Sequence, residues 1–98
     1  MLIVDSLVKE LEAISEDINQ DTPVSLIVWN DEVNTFDWVI QSLVEVCGHT
    51  TDQAEQCAWI IHYKGKYIVK RGPTDKLKEM RRSLVDRGIG ATIEEDSD

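Results

Sequence analysis

The chain has 98 residues, 42% of them apolar, with 19 acidic against 10 basic side chains and a net charge of −9. That length provides one domain able to bury roughly 65% of its unfolded surface, and no apolar run approaches the roughly 18 residues that a membrane span requires. The two cysteines, Cys47 and Cys57, sit inside helical apolar patterns and form no spaced framework. Asp5 meets the opening apolar residues at once, without the basic flank of a signal peptide, so a cytoplasmic protein with reduced thiols is expected.

The charge is unevenly divided. Residues 64–87 hold nine of the ten basic residues with three acids, a net +6, whereas residues 1–63 carry twelve acids against Lys9 alone. A basic face on an acidic body suits an oriented partner contact, although for any single lysine plain solvation of a helical surface is the better reading. Nucleic acid is not expected as a partner, because the acidic remainder repels phosphate and Tyr67 is the one aromatic residue within the basic run.

Leu7, Leu11, Ile14 and Ile18 recur at helical spacing, so residues 6–18 are predicted to form a short amphipathic helix with Asp5 as its N-cap, within an N-terminal extension of residues 1–22. Asp21, Thr22 and Pro23 end it. Residues 24–29 are apolar on both faces apart from Ser25, as in a central strand. Phe36, Val39, Ile40, Leu43, Val44 and Cys47 form one helical stripe, with Asn34 as the predicted cap and Gly48 as the stop.

Thr50 and Gln53 have capping-box spacing ahead of a second helix whose inward stripe is Ala54, Cys57, Ala58 and Ile61, closed by Gly65. Residues 67–70 read as a strand. Gly72 and Pro73 open a third helix with Leu77, Met80 and Leu84 inward, and Gly88 caps it in the left-handed conformation. Residues 91–93 are a last strand, before an acidic tail expected to be disordered. The predicted order is βααβαβ, an α+β domain over residues 23–94 in which a small antiparallel three-stranded sheet packs on three helices.

Candidate functional residues cluster where these elements meet. The apolar run stops at Asn30 and Asp31, which puts an amide and a carboxylate at the mouth of a strand. His62 shares a helical face with Ala58, four residues earlier. Each has a plain structural reading: Asn and Asp end strands by bonding to nearby backbone, and a histidine in a last turn complements the helix dipole. Cys57 and His62 lie about 140° apart around a straight helix and cannot share a metal. Cys47 and His49 alone do not make a zinc site, and a buried Cys57 thiol is a poor nucleophile. No metal, cofactor or catalytic centre is expected.

The phrase running from Leu26 through Asn30 and Asp31 to Val39, answered by His62-Tyr63-Lys64-Gly65-Lys66, resembles the signature of the ClpS adaptor family. The resemblance covers roughly residues 24–94. It implies a non-enzymatic adaptor that binds the free α-amino group and hydrophobic first residue of N-degron proteins and delivers them to a Clp AAA+ unfoldase, of ClpA or ClpC type, coupled to ClpP. The alternative is a module that regulates the unfoldase without binding N-degrons.

On this pattern Asn30, Asp31 and His62 match positions that bond the α-amino group and first peptide unit. Asn34, Phe36, Val39, Ala58 and Ile89 are the side-chain pocket, with Ile89 either in its floor or merely the apolar contact after the Gly88 cap. Phe36 and Ala58 stand where the family commonly has methionine, and Asn34-Thr35 replaces a threonine-proline pair. The third helix reads as about two turns shorter than usual in the family. The N-terminal stripe has three candidate docking places: the domain, the unfoldase or a second copy.

Overall fold

The structure, a computed structural model, describes residues 22–95. The predicted amphipathic helix over 6–18 and the last residues of the acidic tail lie outside them. Three strands, β1 (Pro23–Trp29), β2 (Lys66–Pro73) and β3 (Ala91–Glu95), alternate with three helices, α1 (Phe36–Cys47), α2 (Thr51–Lys64) and α3 (Thr74–Asp86), in the order β1-α1-α2-β2-α3-β3. The strands form one antiparallel sheet in the order β2-β1-β3. This is the α+β domain with three helices that the sequence predicts.

β1 is central because its residues can be buried on both faces: everything from Val24 to Val28, Ser25 included, is buried. Val24, Leu26 and Val28 point toward the helices, where they meet Leu43, Cys47, Ala54, Cys57, Ile61, Leu77, Leu84 and Ile89. Each large aliphatic side chain enclosed there contributes about 1.5–3 kcal/mol relative to exposure. On β2, Lys70 pairs with Leu26 and Ile68 with Ile27, so Val69 is the extra residue of a bulge. The bulge turns Val69 into the core, where it is 5% exposed.

Helix ends follow the sequence with small displacements. Thr50 and Gln53 form the capping box of α2. Gly48, Gly65 and Gly88 all adopt positive φ, a conformation open to glycine at little cost. The cap of α1 is Thr35 rather than Asn34: Thr35 Oγ1 accepts from Trp38 N at 3.1 Å, because the Asn34 side chain is engaged elsewhere. β2 retains Gly72 and Pro73, which pair with Val24 and Pro23, so α3 starts at Thr74 with Pro73 as its cap. β3 likewise continues past Ile93: Glu94 and Glu95 pair with Ser25 and Val24, and are strand rather than tail.

An unforeseen clamp joins α1 to the end of α3. The Trp38 indole donates to Arg87 O at 3.0 Å, while the Arg87 guanidinium bonds Glu45 Oε1 at 2.6 Å and lies over the Trp38 ring. Arg87 also reaches Ser42 Oγ, at 3.4 Å, giving a partner to a fully buried hydroxyl.

Candidate functional site

The segment leaving β1 is tied down at both ends. Asn30 N donates to Gly65 O at 2.8 Å, which draws the end of the central strand against the cap of α2 and so brings Asn30 beside His62. At the other end, Asn34 Nδ2 donates to Gly88 O at 2.8 Å. Between them Asp31 organises the loop: Oδ1 accepts from the N–H groups of Val33 at 2.8 Å and Asn34 at 2.7 Å, and Oδ2 accepts from Asn34 Nδ2 at 2.7 Å. The Asn34 N–H above all, with its side-chain amide and the Val33 N–H, holds the Asp31 carboxyl below the usual carboxylate range, while partial burial opposes them.

This loop, the first turns of α1 and the last turns of α2 enclose a cavity of about 460 Å³ lined by Asn30, Asp31, Glu32, Asn34, Thr35, Phe36, Val39, Ala58, Ile61 and His62. A larger and more open depression of about 640 Å³ lies between α1 and α3 around Glu45, Val46, Met80 and Arg87. It gathers none of the candidate residues and its polar wall is occupied by the Arg87–Glu45 pair, so the smaller cavity is the candidate site.

Seven of the eight residues singled out in the sequence line that one cavity. Ile89 is not among its lining: it is buried in the core, its N–H donating to Leu84 O past the Gly88 turn. Asn34 lines the cavity beside Asp31, its side-chain amide bonded on both protons. With both amide protons committed to Asp31 and Gly88, its oxygen is the atom left to accept. Asp31 has three lone-pair positions engaged and keeps one on Oδ2.

Opposite the loop, Phe36 packs its ring 4.7 Å from Trp59 and 5.6 Å from His62. Val39, Ala58 and Ile61 complete an apolar wall. Sequence reasoning missed Glu32, Thr35 and the aromatic neighbours Trp59 and Tyr63. The available signal was helical phase, since Trp59 and Tyr63 are four apart and Ile61 follows Ala58 by three.

Among the described residues no group of three His, Cys, Asp or Glu could hold a metal ion, and no helix is long and apolar enough to cross a membrane. Burial pushes the Cys47 thiol up to about 11 and raises that of Cys57, the wrong direction for a nucleophile.

A small α+β domain with an acceptor-lined mouth and an apolar wall is the architecture of a binding module. The family described as "ATP-dependent Clp protease adaptor protein ClpS" matches residues 19–90, and the chain belongs to it. The ATP-dependent Clp protease adapter protein ClpS of Rhodococcus opacus (strain B4) is 31% identical over 88 residues, spanning 90% of this chain and 79% of that protein. Its counterpart in Rhodococcus jostii (strain RHA1) is 30% identical over 87 residues, spanning 89% and 78%. Among solved structures, Agrobacterium tumefaciens ClpS2 bound to L-phenylalaninamide superimposes with a TM-score of 0.67 over 76% of this chain and 98% of that one. At 18% identity that likeness concerns the fold.

Proposed function

We propose that this chain is a non-catalytic, cytoplasmic adaptor whose cavity receives the free α-amino group and hydrophobic first side chain of a protein marked for destruction, and that it presents that protein to a Clp AAA+ unfoldase of ClpA or ClpC type. The carrying observation is the two-sided lining. An α-ammonium has three donors and no acceptor, and the polar end supplies acceptors: the Asn30 carbonyl, the free position on Asp31 Oδ2, the Asn34 oxygen and a His62 ring nitrogen. The opposite wall, Phe36, Val39, Ala58 and Ile61, suits an apolar side chain. The Agrobacterium relative is bound to an amino-acid amide with a free amine and an aromatic side chain, which is chemistry of the same kind.

The test is a titration of peptides beginning with Leu, Phe, Tyr, Trp, Met, Ala or Arg, each with a free and an acetylated N-terminus. Free peptides with a large apolar first residue should bind, and acetylation should cost at least about tenfold, the worth of a charge-assisted hydrogen bond. Equal binding of both forms would overturn the reading. Unfoldase binding without any peptide binding would favour a regulator of the unfoldase instead.

A further inference from the structure

We propose that Trp59 and Tyr63 form a second subsite, beside the cavity, for an aromatic side chain on the third residue of the bound peptide; the proposal rests on the N-terminal binding reading above. The two rings stack with centroids 5.5 Å apart and planes 17° from parallel, as residues four apart on one helix face can. They are 46% and 76% exposed. Single apolar residues on a surface need no explanation, but this pair is continuous with the wall of a cavity.

The continuity is geometric. Trp59 lies 4.7 Å from Phe36 and 6.4 Å from His62, ring to ring, and both of those residues line the cavity. Their tilted contacts hold the indole in place, so its exposed surface is set before a peptide arrives. In an extended peptide alternate side chains face the same way, about 6.6 Å apart. A chain with its first side chain in the cavity, running out over α2, therefore turns its second side chain away and lays its third on Trp59 and Tyr63. Aromatic side chains gain most from such a surface, through offset or edge-to-face contacts.

The experiment measures affinities of free-amino peptides Leu-Gly-X, with X as Gly, Leu, Tyr or Trp, and of Leu-X-Gly controls, for the parent, Trp59→Leu and Tyr63→Leu. Tyr or Trp at the third position should bind about 2- to 10-fold tighter than Gly in the parent. In Trp59→Leu, which keeps bulk against Phe36, that advantage should vanish while Leu-Gly-Gly binds as before. Equal affinities for Gly and Tyr in the parent, an advantage that survives Trp59→Leu, or one that appears at the second position would each overturn the subsite. Should Trp59→Leu lose all binding, Tyr63→Leu decides, because it leaves the Phe36–Trp59 contact in place: an unchanged third-residue preference there counts against the proposal. Failure of the underlying reading looks different. Acetylated and free Leu-Gly-Gly, which have no third side chain, would then bind alike, and the subsite would fall with it.

Discussion

The loop carrying Asn30, Asp31 and Asn34 is fixed by hydrogen bonds to the Gly65 and Gly88 turns and within itself, whereas Phe36 and His62 on the facing wall are held by ring contacts with each other and with Trp59 behind them. Hydrogen bonds are directional and fail when one partner is lost. Ring and aliphatic packing is adjustable, and swaps of similar volume cost little. One side of the cavity is thus built to present acceptors in a set geometry. The other can be reshaped to change which side chain fits.

The largest expected break in this contrast is Asp31→Ala. It removes an anion facing the proposed ammonium together with three hydrogen bonds that order the loop. Affinity for a free-amino peptide should fall by about 1.5–3 kcal/mol, roughly ten- to a hundredfold, and calorimetry of binding checks it. The loop bonds add a stability loss visible in thermal unfolding, so the variant does not merely lose a ligand contact.

On the adjustable side, Ala58→Met fills part of the cavity. It should cost the largest first residues, tryptophan first, about 1–3 kcal/mol while sparing leucine. A competition series over first residues reads the rank directly, and equal losses for every residue would indicate a disturbed fold.

Gly65→Ala and Gly48→Ala make a matched pair. Both positions have positive φ, 89° and 74°, and a Cβ at either meets nothing within 4 Å, so each variant bears backbone strain of about 1–2 kcal/mol without a clash. Their melting temperatures should drop alike. Peptide binding should weaken only in Gly65→Ala, since Gly65 alone of the two holds Asn30.

The smallest effect is a pH response of the loop. The Asp31 pKa is lowered in the folded chain from 3.8, so its contribution to stability is complete above that value and disappears as pH falls through the lower folded one. The protonation shift of the Asp31 side-chain carboxyl, followed by NMR, should therefore be absent at pH 5 and develop only below about 3.8. Movement beginning near neutrality would detach Asp31 from the order of the loop.

Much of this was legible in the chain because it rests on local chemistry. The three glycine stops, the Thr50–Gln53 box and the apolar stripes each depend on neighbours within a turn or two. What was misplaced depended on distant partners. Asn34 and Thr35 are both good caps, and the choice was made by Gly88, 54 residues away, which claims the Asn34 amide. Glu94 and Glu95 read as tail until Ser25 and Val24 pair with them. Ile89 fits a pocket floor or a post-cap contact equally well by sequence, and its place in the core beside Leu84 comes from the fold. The Arg87 clamp could not be read at all, for nothing local links Arg87 to Trp38 and Glu45.

The position of β1 has a mechanical consequence. It begins at Pro23 and is bonded along its length to an antiparallel neighbour on each side. Tension applied through the chain ahead of Thr22 enters the sheet by its middle strand and runs along that strand's axis. With the domain held at the far end of the sheet, both ladders are then loaded in shear together, instead of opening one bond at a time as when an edge strand is peeled. A domain threaded in this way should resist being pulled apart from its leading end far better than its size suggests.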